Sequence, residues 1–106
     1  MTPAARHLVN MLERARLNMA SEDVLRFGVE PLEEIAFFIH DNIPYIVGSG
    51  PVNLMEHLQI VITAPPRRRN ERLTPLAQLV DYYNYLVISA ELYLNMRPGQ
   101  NYETFR

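Results

Sequence analysis

The stretch from Thr74-Pro75 to about Met96 most constrains the fold, because it is predicted to be one helix that is apolar on two sides. Wound as an α-helix, it presents one broad stripe suited to a core. The members of this stripe are Leu76, Leu79, Val80, Tyr83, Leu86, Val87, Ala90 and Leu94. A second stripe, Tyr85, Ile88 and Leu92, lies opposite among polar residues. Such a helix is either enclosed by its own domain or shared with a partner.

Two helices are predicted in the first 28 residues. Thr2 is a favourable cap before Pro3, and apolar residues then recur at helical spacing, which predicts a helix from Pro3 to about Asn18. Ser21 predicts a second start. That helix is short, carries Val24, Leu25 and Phe27, and ends at Gly28.

A third helix is predicted to start at Glu30-Pro31. Its apolar face consists of Leu32, Ile35, Ala36, Ile39 and Ile43, widened by Phe37 and Phe38. Pro44 is expected to stop it, because proline removes a backbone donor and clashes with the preceding turn. The segment 44–51 then reads as an apolar connector, in which Gly48-Ser49-Gly50 supplies turn conformations.

The segment from Val52 to Thr63 is ambiguous between helix and strand. Its stripe of Leu54, Met55, Leu58, Val61 and Ile62 favours a helix, whereas residues 58–63 are rich in β-branched side chains. An α+β alternative pairs Tyr45-Ile46-Val47 with Gln59 to Thr63 as short strands. Residues 64–72 break all periodicity and predict an exposed linker.

These elements predict an all-α fold, a compact bundle of about five helices with the long C-terminal helix as its spine. Residues 1–96 are expected to form a single helical domain. Residues 97–106 read as a polar tail with two aromatic residues, Tyr102 and Phe105.

The composition indicates the size class and the cellular location of the protein. With 106 residues and a net charge of -2, the chain is sized for one core and has no overall attraction to nucleic acid or anionic membrane. It contains no cysteine and no apolar run long enough to cross a membrane. Its first residues do not resemble a secretory signal. We therefore expect a cytoplasmic protein.

All ten basic residues are arginine. Codon bias in a GC-rich genome explains this most simply. The alternative is selection for side chains that stay charged and bind carboxylate or phosphate bidentately, or for a chain with no ammonium to modify, as in a viral, phage or mobile-element protein.

No catalytic residue, cofactor site or metal site is identified, so an enzyme is not expected. His7, His40 and His57 do not stand at metal-binding spacings, which favours structural or surface roles. His40-Asp41 and Glu56-His57 are neighbours in sequence and are expected to point in different directions on a helix. Gly48-Ser49-Gly50 lacks both the lysine of a phosphate loop and the flanking pattern of a nucleophile elbow.

Two groups of residues predict binding to a partner. Tyr85, Ile88 and Leu92 predict self-association, most simply as a homodimer. Arg67, Arg68, Arg69 and Arg72 stand on a proline-stiffened loop suited to an acidic protein partner or to phosphates. A helical protein-binding module is the leading interpretation, and a nucleic-acid-binding accessory protein that uses residues 67–72 is the alternative.

Overall fold

The computed structural model describes residues 1–54 and 74–99, which contain four helices and no strand. They are α1 (Pro3–Met19), α2 (Val24–Phe27), α3 (Glu30–Ile46) and α4 (Pro75–Asn95). The all-α class is therefore confirmed for these residues. The fifth predicted helix, 52–63, lies outside them except for residues 52–54.

The two long helices with threonine-proline starts begin where the sequence predicts. The Thr2 hydroxyl accepts a hydrogen bond from the Ala5 amide at 3.1 Å, and the Thr74 hydroxyl accepts one from the Ala77 amide at 3.1 Å. Each bond satisfies one of the amides that a helix leaves unpaired in its first turn. The proline that follows each threonine has no amide to satisfy.

α3 corrects the prediction that Pro44 stops the third helix. The helix continues to Ile46 with a kink at Asn42, whose backbone angles are φ -124° and ψ 15°. The Asn42 side-chain amide donates to the Phe38 carbonyl at 2.9 Å inside this distorted turn. Continuing the helix places Ile43 and Ile46 in the core, a gain that offsets the lost backbone bond. Tyr45 and Ile46 are thus helical, so the alternative with a strand at 45–47 is wrong.

Hydrogen bonds at one end of the bundle fix the helix directions. The Thr2 hydroxyl donates to the Tyr45 carbonyl at 2.6 Å, which joins the start of α1 to the end of α3. The Asn95 side chain accepts from the Val52 amide at 2.6 Å and donates to the Val52 carbonyl at 2.7 Å. Gly48 also lies against Pro98, so the ends of α3 and α4 lie together, and α1, which starts beside the end of α3, runs antiparallel to both.

Gly48 closes this end of the bundle. Its φ of 80° is unfavourable for residues with a side chain, and a Cβ built on it would lie 2.8 Å from Pro98 Cγ. The glycine is needed here for its conformation and for the close approach of Pro98, the second residue of the predicted tail. The sequence predicted the turn but not this contact.

The core lies between α1, α3 and α4. Its largest fully buried side chains are Tyr83, Tyr93, Leu8, Leu12, Leu32, Ile35, Ile39, Ile46, Leu86, Leu94 and Val87. Among the described helices, α1 and α3 share the most extensive contact, while α4 touches each of the other three. The predicted role of the last helix as the spine is therefore not confirmed.

Three core assignments are wrong. Leu76 is exposed in the first turn of α4, and Phe37 is exposed on the solvent side of α3. Tyr93, which the predicted core stripe does not include, is buried. Burial raises the pKa of the partly buried Tyr82 phenol, and the nearby Glu33 of α3 raises it further.

Candidate functional site

The candidate site is the outer face of α4, defined as Tyr85, Ile88 and Leu92. These side chains are 44%, 54% and 56% exposed, although the same helix buries nine other residues. Their spacing of three and four residues places them next to one another on the surface of the helix. The structure therefore brings all three predicted self-association residues together on one exposed apolar stripe.

The inner face of α4 is buried by contrast. Tyr83 is completely buried among core residues, and its hydroxyl donates to the Leu12 carbonyl of α1 at 3.4 Å. Burial raises the pKa of the Tyr83 phenol well above its usual range, an effect that nearby Arg16 partly opposes. This tyrosine is structural, as its position in the middle of the core stripe predicts.

Charge is sparse along α4. Between residues 75 and 95 the carboxylates of Asp81 and Glu91 are the only charged side chains. Asp81 is exposed and stands four residues before Tyr85, so it marks the N-terminal end of the outer face. The nearest cation after the helix is Arg97. The outer face thus has an apolar middle with one carboxylate near each end, Asp81 before Tyr85 and Glu91 beside Leu92.

Exposed apolar side chains also occur on α1 and α3. Leu17 of α1 is 59% exposed as a single residue on a polar surface. Phe37 of α3 is surrounded in sequence by Glu33, Glu34 and Asp41. Isolated apolar residues of this kind are common on monomers and do not by themselves indicate binding.

An open groove of about 290 Å³ lies between the turn after α2 and the start of α4. It is lined by Leu25, Gly28, Val29, Pro75, Gln78, Leu79 and Tyr82. Its volume is at the lower limit for ligand pockets, and none of the charged side chains that converge in typical binding pockets lines it. No sequence pattern marks this groove, because its walls come from segments nearly fifty positions apart.

The remaining candidates have structural explanations. The Ser49 hydroxyl donates to the Ile46 carbonyl at 2.6 Å, so it closes the end of α3. The His7 ring packs edge-on against Phe38, with ring centroids 4.9 Å apart. His40 Nδ1 lies 3.2 Å from Asp41 Oδ1, which corrects the expectation that these neighbours point apart, and both side chains are exposed.

Several predictions fall outside the described residues. His57 and the cluster of Arg67, Arg68, Arg69 and Arg72 belong to the segment 55–73, and Tyr102 and Phe105 belong to 100–106. Within residues 1–54 and 74–99, no helix has the length and hydropathy needed to cross a membrane. The same residues contain no group of three or more histidine, aspartate or glutamate side chains placed to hold a metal ion.

Comparison of the chain with models of known families, with curated proteins and with solved structures finds no match. Only the residues and the geometry of the chain itself therefore indicate its function.

Proposed function

We propose that this protein is a small, non-enzymatic helical module that binds protein, first of all a second copy of itself, through the outer face of α4. The observation that carries the proposal is the exposure of Ile88 and Leu92, more than half in each case, on a helix whose opposite side forms the core. A second copy presents the same stripe, so two copies can cover each other with one type of contact. Two-fold pairing of this kind is the commonest form of oligomer.

The energetics support a contact of moderate strength. Full burial of a leucine or isoleucine side chain stabilises by roughly 1.5–3 kcal/mol, so covering the exposed half recovers about 1 kcal/mol for each. Tyr85 adds an amphipathic side chain of the type enriched at interfaces. Covering the four aliphatic side chains of two copies therefore recovers about 4 kcal/mol, so the pairing should respond to protein concentration.

The finer parts of the proposal come from the sequence. Arg67, Arg68, Arg69 and Arg72 are proposed to bind an acidic protein partner, because guanidinium groups pair well with carboxylates. The proposed setting is the cytoplasm. A viral, phage or mobile-element origin rests on the absence of lysine.

Light scattering at protein concentrations from about 1 to several hundred micromolar tests the proposal, in the range where such pairing responds to concentration. We expect the mass to rise from the 12.3 kDa of one chain towards twice that value. Ile88→Glu should hold the mass at one chain at every concentration.

Leu17→Glu is the matched control, because Leu17 is equally exposed but lies on α1. It should dimerise like the wild type. A wild type that remains a single chain at the highest concentration contradicts the proposal.

A further inference from the structure

We draw no further inference here: the strongest candidate, the open groove between the turn after α2 and the first turns of α4, is an unpartnered apolar surface, and nothing among the residues that the structure describes shows what covers it.

Discussion

The two faces of α4 are both apolar, yet one is core and the other is surface. Leu86 and Ile88 are two positions apart, and Leu86 is completely buried while Ile88 is more than half exposed. The difference in exposure arises because α1 and α3 cover one side of the helix. Periodicity thus identifies apolar stripes, and only the tertiary arrangement decides which of them the domain itself covers.

Leu86→Asp tests the inner face and has the largest expected effect. A carboxylate without a partner in the core costs several kcal/mol, comparable with the whole stability of a domain of this size. We expect loss of helical circular dichroism at 25 °C, and the same for Leu79→Asp. A soluble Leu86→Asp protein with native helicity and an unchanged melting temperature would show that the core face is wrongly assigned.

The double change of Ile88→Glu with Leu92→Glu tests the outer face. Both positions are exposed in one chain, so helicity should be retained while like charges across the symmetric contact prevent pairing. The melting temperature should then cease to depend on protein concentration, as a calorimetric dilution series will show. If the double variant unfolds instead, the outer face is covered within a single chain, and the contrast between the two faces is wrong.

The buried phenol of Tyr83, on the inner face of α4, should make the free energy of unfolding fall at alkaline pH. In the folded protein Tyr83 keeps its proton, because burial raises its pKa, whereas in the unfolded chain it ionises near pH 10. Above about pH 10 the unfolded state therefore binds fewer protons, and the free energy of unfolding falls by up to about 1.4 kcal/mol per pH unit. Below that pH the group has no such effect.

Tyr83→Phe should flatten this alkaline decline, measured by urea unfolding at about pH 8 and about pH 11, on either side of the phenol pKa. At the lower pH it should cost about 1 kcal/mol, the usual contribution of a hydrogen bond such as that to Leu12. Tyr82, whose pKa burial also raises, will retain part of the decline. An equally steep decline in Tyr83→Phe would show that this phenol does not set the alkaline limit.

The sequence predicted what depends on local chemistry. The starts at Thr2-Pro3 and Thr74-Pro75, the end of α2 at Gly28 and the all-α class follow from capping, turn conformations and periodicity. The passage of α3 through Pro44 was missed, because burial of Ile46 outweighs a local rule. The burial of Tyr93 was missed because it depends on where the neighbouring helices lie, which no pattern within α4 encodes.

The sequence predicted which residues form the candidate site but not whether they are exposed. The spacing of Tyr85, Ile88 and Leu92 identified the three residues, and their exposure became known only once the neighbouring helices were in place. The groove beside Val29 and Pro75 has no counterpart in the sequence analysis. Its walls meet through tertiary contacts between distant segments.

The smallest effect on stability is expected when serine replaces all four arginines of the loop, Arg67, Arg68, Arg69 and Arg72. The same variant distinguishes the outer-face proposal from nucleic-acid binding. Surface charges contribute little, so the free energy of unfolding should change by less than about 1 kcal/mol. If a carboxylate-rich protein is the partner, gel-shift titrations of the wild type with DNA and RNA should show weak binding at both low and moderate salt. Tight binding with a steep salt dependence that the serine variant loses would instead indicate phosphate contacts. That result would make nucleic acid the leading partner, with the outer face of α4 serving to pair two arginine clusters.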